Sequence, residues 1–163
     1  MKCRWIAPII LFVLLVVPAS VVRAELAPGT VAPDFELTDM AGQKVRLADY
    51  KGHPFILKLA TTWCPSCRQQ SAQFEKAQDF LAENKIPVIE VFVDDTEDEV
   101  RKYIEKHPLA GTHVKMLDDG RVYKAYNVYL IPRVIVVDAE FKVKRDGSVI
   151  DASMLKSLLQ KML

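Results

Sequence analysis

From residue 25 onward the apolar positions follow two periods, and each change of period marks an element. Asp34–Thr38 and Lys44–Leu47 alternate polar and apolar around Ala41-Gly42-Gln43, the pattern of a small β-hairpin. Phe55–Ala60 is apolar except at Lys58, which predicts a central strand covered on both faces. Over Pro65–Asn84 the apolar residues Ala72, Phe74, Ala77, Phe80 and Leu81 recur at helical spacing. Val88–Val93 (VIEVFV) predicts a second buried strand, Glu97–His107 a charged helix, Val114–Leu117 a short strand and Val122–Tyr126 a helical turn. Arg133–Asp138 and Phe141–Arg145 predict a hairpin turning at Ala139-Glu140, and Ser153–Leu163 a closing amphipathic helix. The order is β-hairpin, β-α-β-α, then β-β-α. That alternation implies an α/β domain over residues 25–163, with a mixed sheet and helices on both faces.

The first 24 residues break this pattern. Lys2 and Arg4 precede an apolar run through Ile6–Val17, and Val22-Arg23-Ala24 is a small-residue sequence that a signal peptidase could cut. The alternative is a retained membrane anchor, because Trp5–Val22 approaches the span of about 17 to 25 residues that a bilayer requires. Both readings place the domain outside the cytoplasmic membrane. The whole chain carries a net charge of +1. Removing Lys2, Arg4 and Arg23 leaves 19 basic against 21 acidic residues, a net charge of −2. Neither value supports a nucleic acid as partner.

The exported domain holds two cysteines, Cys64 and Cys67, in the stretch TTWCPSCRQQ. The stretch falls where a strand ends and a helix begins. Cys64 is expected at the N-cap, Pro65 at the first helical position, where its missing N–H costs nothing, and Cys67 one turn on. A disulfide can bridge that spacing. The helix start favours a thiolate on Cys64, which would attack a disulfide and be released when Cys67 attacks in turn. A zinc site needs four ligands, yet only His53, His107 and His113 are available besides, without ligand spacing. A static disulfide over so short a loop stabilises little. Redox exchange is the expected chemistry, with no metal and no cofactor beyond the Cys64–Cys67 pair.

Three segments in order resemble the thioredoxin superfamily, within it the exported TlpA/ResA/CcmG-like branch. They are Gly29–Leu37 with Asp39–Gly42 and Asp49–Gly52, the redox turn Ala60–Cys67 that includes Trp63 and Pro65, and Tyr129–Asp138. The resemblance implies a thioredoxin-like three-layer sandwich with an N-terminal hairpin. It implies that Pro132 is cis and lies against the redox pair, and that the Ile131 backbone pairs with substrate. It further implies a thiol–disulfide oxidoreductase, acting as a reductase on protein disulfides and recharged by a membrane thiol partner, in the bacterial periplasm or on the outer face of the cytoplasmic membrane. Two positions depart from the branch: Gln70 stands where a glutamate is common, which weakens a role in cytochrome c maturation. Lys58 stands where thioredoxins bury an aspartate, with Glu90 opposite on the neighbouring strand. Each buried charge argues for the other, so a Lys58–Glu90 pair beneath Cys67 is expected to tune that thiol. The alternatives are that both are structural, or that Lys58 reaches out to a strand end.

Two other functions fit parts of the pattern. A thiol peroxidase would use Thr61 and Cys64, although Leu57 occupies the place of that motif's proline. An SCO-like copper-handling module would need a wider cysteine spacing and a partnering histidine. The acidic run Asp94–Glu99 is expected as a solvated helix start, and Tyr123, Tyr126 and Tyr129 as packing or groove residues.

Overall fold

A computed structural model describes residues 25–107 and 113–163, so the expected leader at 1–24 lies outside the described residues. The described residues form seven strands and four α-helices: β1 (Glu36–Thr38), β2 (Lys44–Arg46), β3 (Phe55–Ala60), α1 (Pro65–Glu83), β4 (Val88–Phe92), α2 (Glu97–Lys106), β5 (His113–Leu117), α3 (Arg121–Ala125), β6 (Arg133–Val137), β7 (Val143–Gly147) and α4 (Ala152–Gln160). β1 and β2 form the antiparallel hairpin. The other strands form one sheet in the order β5-β4-β3-β6-β7, with β3, β4 and β5 parallel and β6 and β7 antiparallel.

Alternation along the central strands splits the core. Ile56, Val88, Val134 and Val136 face α1 and α4, meeting Phe74, Ala77, Leu81, Leu155 and Leu159. Phe92 meets Val100 and Tyr103 of α2. Leu57, Leu59, Ile89, Val91, Ile135 and Val137 face the opposite layer, built from Phe35, Leu37, Leu47 and Val122. Helices therefore cover both faces.

Two local departures from the sequence reading have clear causes. The β6–β7 turn is longer than Ala139-Glu140: Asp138 N–H donates to Lys142 O, and Asp138 Oδ1 accepts from Lys142 N–H. Phe141 sits inside that turn at φ 66 with its ring buried, so β7 begins at Val143 instead of Phe141. Residues 29–32 pair with the outer edge of β7 through Gly29 N–H to Val143 O and Val143 N–H to Thr30 O. At the other edge, Met40 N–H donates to Lys115 O of β5. One N-terminal segment thus covers both edges of the sheet.

Candidate active site

β3 delivers the chain to the redox turn and α1 carries it away. Cys64 is the N-cap of α1 with extended φ/ψ, Pro65 follows at the first helical position, and Cys67 N–H donates to Cys64 Sγ at 3.1 Å. Both cysteines are free thiols; Cys64 is 5% exposed and Cys67 1%. The turn is pinned from α2's entry loop. Thr62 donates its N–H and hydroxyl to the two oxygens of Asp95 at 2.9 and 2.6 Å, and Trp63 Nε1 points at Asp94 O at 3.4 Å.

The Ile131–Pro132 peptide bond is cis, and Ile131 packs against the cluster of Ala60, Cys64 and Cys67. Beside it opens a groove of about 150 Å³ lined by Thr61, Trp63, Asp94, Tyr123, Tyr129 and Ile131, among others. Trp63 and Tyr129 are each 59% exposed there, and Tyr123 and Leu130 are exposed by about half. Of the three tyrosines, Tyr126 is a packing residue instead. Its ring meets Phe35 edge-on and its hydroxyl donates to Pro33 O at 2.7 Å.

Burial pushes the Cys67 thiol from 9.0 up to about 12, helped by its hydrogen bond with Cys64; the Thr61 backbone and the Lys58 charge pull the other way. Lys58 and Glu90 are register partners on β3 and β4, and their side chains are each 1% exposed. Lys58 Nζ lies 2.5 Å from Glu90 Oε1 and donates to Ser71 Oγ at 2.8 Å. Ser71 Oγ in turn donates to Cys67 O at 3.2 Å. The pair is thus fully buried and reaches the redox turn through Ser71. Lys115 extends the row on β5 opposite Glu90, its ammonium 5.8 Å from the Tyr103 ring centre and donating to His107 O.

Gln70, the other departure, is fully buried on α1 and accepts from Ile150 N–H at 2.7 Å. It ties α1 to the entry of α4. Sequence reasoning missed Ser71, which lies four residues after Cys67 and so on the same helical face. It also missed Asp95, hidden within an acidic run that reads as solvent-facing. Among the described residues, no three His, Cys, Asp or Glu side chains gather as a metal site.

Known proteins share this fold. A thiol–disulfide oxidoreductase structure from Bacteroides vulgatus, limited to its thioredoxin domain, superposes with a TM-score of 0.73 at 25% identity, covering 83% of this chain and 97% of that one. The fold and the paired thiols define a thioredoxin-like thiol–disulfide oxidoreductase of the redoxin type. The chain belongs to the AhpC/TSA family, whose profile matches residues 28–146. The thiol-disulfide oxidoreductase ResA of Geobacillus kaustophilus is 29% identical over 139 residues, 85% of this chain and 78% of that protein. The thioredoxin-like protein YneN of Bacillus subtilis is 30% identical over 145 residues, 83% of this chain and 84% of its own length.

Proposed function

We propose that the protein works outside the cytoplasmic membrane as a reductase of protein disulfides, with Cys64 as nucleophile and Cys67 as resolving thiol. The observation that carries this reading is the placement of Cys64 Sγ at a helix start, under the Cys67 amide and beside an open apolar groove edged by Ile131. An amide aimed at that sulfur favours negative charge on it. As thiolate, Cys64 attacks one sulfur of the substrate disulfide. That S–S bond breaks, a mixed disulfide forms, and the departing sulfur takes up a proton. Cys67 then loses its proton and attacks Cys64 Sγ, releasing the second substrate thiol and closing the Cys64–Cys67 disulfide. The substrate gains two electrons and two protons, which a membrane thiol partner later returns to the pair.

Pro132 and Ile131 shape the far wall of the site, and Trp63 its rim. Lys58 and Glu90 act through Cys67: the ammonium favours its thiolate and Glu90 relays its proton, while Ser71 ties Lys58 to the Cys67 carbonyl. Trapping tests the whole reading. Cys67→Ser is expected to hold native substrates as mixed disulfides on Cys64, identified by mass spectrometry, and an absence of such adducts in the native compartment counts against it. Thr61 favours a second reading as a thiol peroxidase, since its hydroxyl is buried three residues before Cys64 without a hydrogen-bond partner. Peroxide consumption through a sulfenic acid on Cys64 would mark that activity.

A further inference from the structure

The buried charges beneath the redox turn extend past Glu90 to a third strand. In register across β3, β4 and β5, Lys58 stands beside Glu90 and Glu90 beside Lys115. Partners in register point to the same face of a sheet, so the three side chains form one row. Lys115 is 9% exposed and carries the contacts of an ammonium. Its Nζ lies 5.8 Å from the centre of the Tyr103 ring on α2 and donates to His107 O at 3.2 Å. Beyond it the row meets solvent at a cleft of about 400 Å³, which Lys115 lines together with Asp39, Met40, Ile104 and His113.

The other titratable groups around the row add no charge to it at pH 7. Burial holds the His113 imidazole below its ordinary value of 6.5, and the Lys115 and Lys58 ammoniums add to that. Burial likewise pushes the Tyr103 hydroxyl up, so it keeps its proton. Among the described residues the row therefore holds two cations and one anion. An uncompensated charge under a protein core is costly. The group placed to compensate it is Cys67, which the Lys58 charge already draws toward its thiolate. Glu90 stands 2.5 Å from Lys58 and cancels much of that charge. Lys115, on the other side of Glu90, cancels the carboxylate in turn and leaves the row with a net positive charge for Cys67.

From this geometry we propose that Lys115 is a positioning residue for disulfide exchange: as the third charge of the row it holds Glu90 between two ammoniums, and so lets Lys58 stabilise the thiolate with which Cys67 resolves the mixed disulfide. This rests on the reading of Cys67 as the resolving thiol and adds the residue that supplies its counter-charge.

Stopped-flow mixing of the reduced protein, in excess, with dithiobis(nitrobenzoate) tests it, because each thiol released from that disulfide is coloured. The Cys64 thiolate attacks one sulfur, the disulfide breaks, and the first coloured thiolate leaves. Cys67 then loses its proton to solvent and attacks Cys64 Sγ, and the second coloured thiolate leaves as the Cys64–Cys67 bond closes. The second release thus reports on Cys67. Two strand spacings put Lys115 about 10 Å from Lys58, where one unit charge alters ionisation about tenfold at an effective dielectric constant of about 20. A more basic thiolate is also a better nucleophile, so Lys115→Met is expected to slow the second release by about threefold at pH 7. The gap is expected to close as pH approaches 10.5, the ordinary lysine value, because burial draws Lys115 below it and the wild type then loses the same charge. Lys115→Arg keeps the charge and is expected to release at the wild-type rate. Lys115→Gln keeps a donor for His107 O, is expected to be as slow as Lys115→Met, and stands in for it if that variant does not fold. A neutral variant as fast as the wild type at pH 7, a gap that does not change with pH, or a folded Lys115→Arg as slow as the neutral variants overturns the proposal. A wild-type chain that releases the first coloured thiolate and never the second sinks the resolving role of Cys67 itself, and is thereby told apart from failure of the role of Lys115.

Discussion

Cys67 holds its proton more tightly than a free thiol because its sulfur is buried, and that cost appears in the reduced protein alone. With the folded value raised from 9.0 to about 12, the folded state keeps a proton that the unfolded chain loses. The stabilisation is complete below pH 9 and is lost as pH rises through the window from about 9 to 12. The stability of the reduced protein relative to the oxidised, followed by denaturant unfolding, should therefore fall across that window. Cys67→Ala should remove this slope. Lys58 and Glu90 make a separate prediction. Glu90→Gln leaves a buried ammonium with diminished compensation and should cost about 3 kcal/mol or more, whereas Lys58→Met combined with Glu90→Leu should recover most of that loss. If the pair serves the chemistry, the double variant stays slow in disulfide exchange although it is stable, and its pH–rate profile shifts. A double variant that is both stable and fast would leave the pair with a structural role alone.

At the scale of elements, the redox turn depends on the start of two helices. α1 begins at Cys64 itself, and α2 begins at Thr96 with a reciprocal cap, Thr96 N–H to Glu99 Oε2 and Glu99 N–H to Thr96 Oγ1. Losing that cap through Thr96→Ala should cost about 1 kcal/mol by thermal or denaturant unfolding. Because Asp95 stands beside Thr96 and holds Thr62, the same substitution should also loosen the Trp63 rim, read as faster exchange of the Thr62 amide. These elements were legible to different degrees. The helical period after Cys64 and the apolar runs of β3 and β4 announced α1 and the central sheet, because continuous burial leaves a plain composition signal. The Lys58–Glu90 pair was legible because charges are conspicuous inside apolar strands. Asp95 and the Gly29–Ala32 pairing were not, since both depend on contacts with residues far away in sequence. The position of β7 slipped because the left-handed Phe141 is invisible to a pattern of apolar and polar residues.

For the whole molecule, the Arg133–Asp146 pair joins the N-terminal entry, the cis-proline loop and the last strand. Asp146→Asn should cost about 3–5 kcal/mol, measured by denaturant unfolding, because it leaves Arg133 buried beside a neutral partner. The segment 29–40, which closes both edges of the sheet, has a consequence in time. It is made before every strand it covers, yet its partners Met116 and Lys142 follow about 75 to 115 residues later. Local contacts form ahead of such distant ones, since closing long loops is entropically slow. The first residues to arrive are therefore the last to find their place, and until they do the nascent sheet carries two open edges that can pair with a neighbour. Pulse-labelled hydrogen exchange during refolding should show the amides of Gly29 and Val143 protected after those of β3, and the chain is most prone to aggregate in that interval.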